Sequence, residues 1–416
     1  MTEFYGSARN DAAAYGRIGP ASDPVREHPQ QVVVAAPPRR GALTLVLIVL
    51  GFVLLSALLI VVVLYLFLVL GPTALLYAAI LAAVPLAAVL LGIRWIDRWE
   101  PEPRGALLFA FLWGAAASVF IALVFSGLTQ AYEARHGLTG TAAADFFETV
   151  VQAPIVEEVA KGFGVLLLLW VMRNTFDGPI DGIVYAATVA VGFAFTENLQ
   201  YFGLALIDGG GLGAVGVVFL LRAVLSPFAH VMFTACTGLL LGLAARYTGR
   251  LGAIGFFVLG LIPAVLLHAF WNSASYWADD WFGFYFTVQV PLFILAIFGV
   301  VLLRRHEQRI TRERLADYAA VGWFTPSEVN QLSTGSGRRQ AIWWAGRFGL
   351  RRQYRRFVTD ATRLAFTRQR LISGRGHISR SDRTHTAQYE ASLLDGIVAD
   401  RRALAALPPL LTLPSR

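Results

Sequence analysis

Cysteine and lysine are nearly absent from this chain: of 416 residues, one is cysteine, Cys236, and one is lysine, Lys161. A single cysteine excludes an intramolecular disulfide and any cysteine-rich metal site. Charge is scarce as well. Only 15% of residues are Asp, Glu, Lys or Arg, 56% are hydrophobic, and the mean hydropathy is +0.59. That balance excludes a soluble globule and describes a polytopic membrane protein. Base is also missing from most of the chain. Residues 304–416 hold 21 arginines against nine acidic residues, whereas the 303 residues before them are net negative. The formal net charge of +8 therefore belongs to a C-terminal tail.

Apolar runs of about 20 residues, the length that crosses a bilayer as a helix, recur at 43–70, 73–93, 105–128, 151–171, 182–206, 217–245, 251–274 and 283–303. The fold class expected is all-α, a polytopic helix bundle of about eight transmembrane helices. Arg222 and Ser226-Pro227 interrupt the sixth run, so nine elements are possible. Arginines gather in alternate connections, at Arg94, Arg98 and Arg104, at Arg173, and at Arg246 and Arg250. The positive-inside rule then puts both termini in the cytoplasm, a parity that eight helices satisfy. Residues 1–42, polar and Arg-dotted with no cleavable signal, read as a disordered cytoplasmic arm. Residues 43–303 form the bundle. Residues 304–416, with stretches such as RRHEQRITRERL and RFGLRRQYRRFV, read as a cytoplasmic tail, partly helical and then disordered. Its arginines are expected near anionic lipid headgroups, without nucleic acid as a partner.

Against this apolar background four polar clusters stand out, each on a separate run. The first is Glu157-Glu158 with Lys161. An ionisable side chain at membrane depth costs at least about 2.5–3.5 kcal/mol on insertion scales, so three within five positions need a reason. Helical geometry puts Glu157 and Lys161 on one face and Glu158 about 100° away. The second cluster is Glu197-Asn198. The third is His230, with Thr234 one turn later, and the fourth is His268, with Asn272 one turn later. Of seven histidines, only His230 and His268 lie in apolar runs. Taken singly, each cluster has a bland explanation: a neutralised i,i+4 pair, interhelical hydrogen-bond glue, a packed histidine or a helix cap. Four unrelated polar sites in one bundle are harder to account for than one convergent site.

Two histidines and a carboxylate form a common catalytic zinc set that leaves a position for water. A second carboxylate can serve as general base, and an amide or ammonium can stabilise an oxyanion. That inventory suits peptide-bond hydrolysis inside a membrane. The chain has no His-Glu-x-x-His, Gly-x-Gly-Asp or Gly-x-Ser-x-Gly, which excludes the better-known intramembrane metallo, aspartyl and serine motifs. Two rival classes share the residues: a proton-coupled transporter, which inverted repeats would support and none is visible, and a catalytically silent scaffold acting through the tail.

In this order, EEVAK at 157–161, FAFTEN at 193–198, the His230 helix and HAFWN at 268–272, together with DRWEPEP at 97–103, resemble the PrsW family of intramembrane metalloproteases, relatives of the CAAX prenyl protease and bacteriocin-processing group. The resemblance spans roughly residues 73–300. It implies cleavage of a membrane-embedded protein partner, for example an anti-sigma factor, in a bacterial plasma membrane. Carried over by motif, it makes Glu157 and Glu158 essential and has Glu197, His230 and His268 line a divalent metal, zinc. Lys161 and Asn272 complete the catalytic set. Which glutamate ligates and which acts as base stays open at this level; Glu157 is the favoured base because Lys161 lies on its face, and Glu158 is suited to orient a ligand. Arg222, just before the His230 segment, either pairs with a carboxylate of the site or snorkels to an interface, the second reading being slightly favoured.

Overall fold

A computed structural model describes residues 42–173, 175–176, 178–373 and 380–405. The N-terminal arm through residue 41 and the last residues, from 406, lie outside the described residues. Every regular element among those described is a helix. Six helical stretches are long and apolar enough to cross a membrane.

The first, α1 (Ala42–Ile96), is broken at Gly71, whose φ of 75° and ψ of 166° no helix continues, and Pro72 follows. Gly71 makes this turn because a residue without Cβ enters the left-handed region freely. A straight rod would hold residues 52 and 93 roughly 60 Å apart at 1.5 Å per residue. Instead Phe52 packs edge-on against Phe109, and Ile93 belongs to a buried cluster joined by Leu107 and Phe111. The two arms of α1 therefore fold back on each other as a hairpin. The runs 43–70 and 73–93 are its two arms.

Next come α2 (Arg104–His136) and α3, covering 142–171. A π-helical turn interrupts each, at Trp113–Ser118 and Phe147–Gln152. The fourth helix, α4 (Pro179–Ile207), is the axle of the bundle and is buried over most of its length. The sixth apolar run is broken where the sequence suggests. Helix α5 spans 211–225 and ends in a π-helical turn, Leu220–Leu225; α6 (Ala229–Tyr247) starts after Ser226-Pro227. Side chains satisfy the carbonyls freed there: Ser226 Oγ donates to Leu221 O at 2.6 Å, and Tyr285 OH donates to Leu225 O at 2.7 Å. Helices α7 (Gly252–Trp277) and α8 (Trp281–Ala319) complete the apolar set.

Small residues let α4 and α6 touch backbone to backbone, as in other membrane helix pairs. A Cβ on Gly182 would sit 2.0 Å from the Gly238 carbonyl oxygen, and a Cβ on Gly238 would sit 2.3 Å from that of Gly182. This contact fixes the register of the helices that carry Glu197 and His230.

The Arg-rich tail is a folded unit. α8 runs on past residue 303, and α9 (Pro326–Leu332), α10 (Gly335–Arg347), α11 (Arg351–Ser373) and α12 (Arg380–Leu404) follow. They bury Leu315, Leu332, Ala345, Leu364 and Ile397 in a common core. Two buried arginines tie this cap to the bundle. The Arg338 guanidinium stacks on Trp99 at 3.4 Å and donates to the Trp99 carbonyl at 2.7 Å. Arg370 donates to the carbonyls of Arg173, Phe176 and Ala245, at 2.6, 3.4 and 3.4 Å, beyond the C-terminus of α3 and within the last turn of α6. A cation at helix C-termini is favoured by the exposed carbonyls and the helix dipole. Arg370→Ala should therefore cost about 2–3 kcal/mol, the scale of a charged hydrogen bond lost from a buried acceptor. A fall of several degrees in melting temperature by tryptophan fluorescence in detergent checks this; an unchanged melting curve contradicts it.

Candidate active site

Helix α3 delivers the charged triplet to the centre of the bundle, and each member meets a partner from another helix. Lys161 and Glu158 have no exposed surface, and Glu157 is buried with a sliver facing a cavity. The Lys161 ammonium lies 2.7 Å from Glu158 Oε1 and 3.3 Å from Glu157 Oε2, so both glutamates share one cation. It also lies 3.2 Å from His230 Nδ1 and 4.2 Å from the Phe193 ring centroid.

Both histidines are held on one nitrogen by a carboxylate. His268 Nδ1 lies 3.1 Å from Glu158 Oε1, which leaves Nε2 facing Glu157 Oε2 at 3.9 Å. The other Glu158 oxygen accepts from Thr234 Oγ1 at 2.8 Å. His230 Nε2 lies 2.8 Å from Glu197 Oε2, which leaves Nδ1 toward Lys161. Phe233 stacks on the His268 ring at 4.9 Å, and the two imidazoles meet edge-on at 5.2 Å.

One atom from each of Glu157, His230 and His268 lies within 4.8 Å of the others, and among the described residues this is the one group with a metal-ligand disposition. The Lys161 ammonium already contacts two of these three residues as a cation would. Two imidazole nitrogens and a carboxylate oxygen suit a divalent ion such as zinc. The donor set therefore fits a metal.

The sequence reading grouped Glu197 with His230 and His268 as ligands. In the structure Glu197 adjoins His230, while Glu157 completes the triad. Glu197 also receives Arg222, whose Nη2 lies 2.5 Å from Glu197 Oε2 and whose Nε donates to Asn198 Oδ1 at 2.7 Å. Arg222 thus does not snorkel. The π-helical turn at 220–225 alters the helical register there and brings it into the site wall; such turns recur at functional sites. Asn272 lines the same cavity and donates Nδ2–H to the Thr149 carbonyl at 2.9 Å.

The cavity measures about 530 Å³. Glu157, Glu197, Arg222, His230, His268 and Asn272 all line it, and it extends to Ser275 in the last turn of α7 and to Trp281 beyond it. Two further residues line the wall: Tyr201, one turn beyond Glu197, and Phe233, which the sequence did not single out. Arg222 carried a signal, an arginine just ahead of a Ser-Pro break in an apolar run. Phe233 carried none in a chain this rich in aromatic residues.

An all-helical membrane bundle with a buried carboxylate–imidazole cluster opening on an internal cavity has the parts of an intramembrane hydrolase. The family model described as PrsW family intramembrane metalloprotease matches residues 102–296. The chain is similar to Protease PrsW of Geobacillus kaustophilus, 29% identical over 55% of this chain and 90% of that protein. It is also similar to Protease PrsW of Clostridioides difficile, 34% identical over 38% of this chain and 62% of the relative. For Protease PrsW of Bacillus subtilis the figures are 27%, 50% and 86%. No solved structure matches the chain. The resemblance read from the four clusters is borne out: the chain is similar to PrsW family proteases, and these matches indicate a membrane protease that hydrolyses peptide bonds.

Proposed function

We propose that the chain is a metal-dependent endopeptidase of the bacterial plasma membrane that cleaves a membrane-embedded protein, such as an anti-sigma factor. The observation that carries this reading is the convergence of Glu157, His230 and His268, the first two of them on a buried ammonium. The two arms of α1, then α2, α3, α4, the broken α5–α6 pair as one pass, α7 and α8, would make eight passes with both termini in the cytoplasm. α3 falls short of an apolar span only because its three ionisable residues belong to the site.

Glu157, His230 and His268 would hold the metal, which when bound supplies Lewis acidity and a water acidic enough to ionise near neutral pH. The residues of the chain do the rest. Glu158, sealed from water, accepts from His268 Nδ1–H and so keeps Nε2 as the donor atom, the usual arrangement around a metal-bound histidine. Lys161 balances the charge of Glu157 and Glu158 in a place where two unpaired carboxylates would be very costly. Glu197 Oε1 makes no polar contact among the described residues, and the side chain lines the cavity, so Glu197 is the carboxylate placed to take a proton from a water bound there. Glu157, the favoured base from sequence, becomes a ligand in this arrangement.

A proteomic comparison of membrane-protein fragments in cells carrying the wild type or His268→Ala tests this reading. Fragments cut within or beside a transmembrane segment should appear with the wild type alone. Identical fragment sets would argue against proteolysis at this site.

A further inference from the structure

We propose that Arg222 is a positioning residue: it fixes Glu197 and, through Glu197, aims His230 at the metal-binding centre. The inference rests on the metal-site reading above. His268 and His230 are held alike, each by a carboxylate on one ring nitrogen, at 3.1 and 2.8 Å. The two carboxylates differ in their own support. Glu158 is locked on both oxygens, by Lys161 and His268 on one and by Thr234 on the other, and it has no exposed surface. Glu197 borders the cavity, with 18% of its side chain exposed, and no hydroxyl or lysine among the described residues binds it. Arg222 supplies that support.

The guanidinium is itself fixed on three sides. Nη2 meets Glu197 Oε2, Nε donates to Asn198 Oδ1, and the face lies 3.9 Å from the centroid of the Tyr201 ring. All three partners sit on α4, the most buried helix, whereas Arg222 comes from the π-helical turn of α5. A charge recruited only to neutralise Glu197 would need neither the Asn198 bond nor the ring beneath it. A planar fork that grips a carboxylate and an amide together fixes direction as well as charge, which a lysine at the same place does not. Partners one step removed from a ligand typically change metal affinity by 10- to 100-fold when lost.

The test uses the full-length protein in detergent, stripped of metal, with Co²⁺ and Zn²⁺ as probes. Co²⁺ visible absorption reports ligand geometry, and competition with a chelating dye gives the affinity. Arg222→Gln should weaken metal binding about 10- to 100-fold and alter the Co²⁺ bands, and Arg222→Lys should fall between it and the wild type. Asn198→Ala, a milder change that leaves the ion pair, should weaken binding less. Because Arg222 acts through Glu197, the double variant Arg222→Gln/Glu197→Gln should bind no more weakly than Glu197→Gln alone. Unchanged affinity and spectrum in Arg222→Gln and Arg222→Lys, or losses that add in the double variant, would overturn the proposal while leaving the metal site standing. A wild type that binds no Co²⁺, or a His268→Ala variant that binds it equally well, would overturn the metal-site reading and this proposal with it.

Discussion

Glu157→Gln should release the metal and lower cleavage of a membrane substrate by at least about a thousandfold, or about 4 kcal/mol of barrier. The glutamine is nearly isosteric, so the fold of α3 is not at stake. What disappears is one anionic donor from a set of three whose atoms lie within 4.8 Å of one another. A neutral amide is a poor ligand for a zinc-like ion, and two imidazoles alone do not make a closed site. The sequence reading, with Glu157 as base, leads to the opposite metal result: activity gone but metal retained. Elemental analysis of the purified variant separates the two roles. If metal stays and activity goes, Glu157 is the base and Glu197 returns to the ligand set.

Lys161→Met should be the most destabilising single change in the bundle. The ammonium is fully buried and is the cation shared by Glu157 and Glu158, at 3.3 and 2.7 Å. Methionine is similar in length and leaves little void, so the loss is electrostatic. Removing one partner of a buried ion pair costs about 3–5 kcal/mol, because the remaining charge is left without compensation. Added Zn²⁺ should restore part of this, since an ion held at one hundred times its dissociation constant adds about 2.7 kcal/mol to the folded state. The measurement is the melting temperature of wild type and variant with and without Zn²⁺. A Lys161→Met protein as stable as the wild type, or one that zinc does not help, would show that the ammonium does not carry the charge balance of the site.

The elements were legible wherever composition alone decides them. A stretch of 20 apolar residues has few alternatives to a helix, and Gly71-Pro72 and Ser226-Pro227 mark breaks that local backbone chemistry dictates. The membership of the site was legible for a similar reason, because Glu157, Glu158, Lys161, Glu197, His230 and His268 are conspicuous in a hydrocarbon setting. Their pairing was not. Helical spacing tells which residues share a face of one helix, and it put Lys161 with Glu157. It is silent on which faces of different helices meet. The shorter contact of Lys161 is with Glu158, and Glu157 rather than Glu197 completes the triad. For Arg222 the sequence leaves pairing and snorkelling both open, because it does not show the π-helical turn that sets the register of α5 and brings the guanidinium to Glu197.

The tail shows a different limit. Its arginines suggested a headgroup-binding segment, and net charge dominated that reading. Yet α11 places Tyr354, Phe357, Val358, Ala361, Leu364 and Ala365 at helical spacing on one buried face. That pattern specifies a packed helix, and arginines such as Arg338 and Arg370 turn inward to bind carbonyls.

Four polar clusters from separate helices should act as one metal site. The most direct measurement is the metal content of the purified full-length wild type and of His230→Ala and His268→Ala, by inductively coupled plasma mass spectrometry. About one divalent ion per wild-type chain is expected, with loss of that ion in each variant. A metal-free wild type after zinc loading, or full metal retained without either histidine, would contradict it.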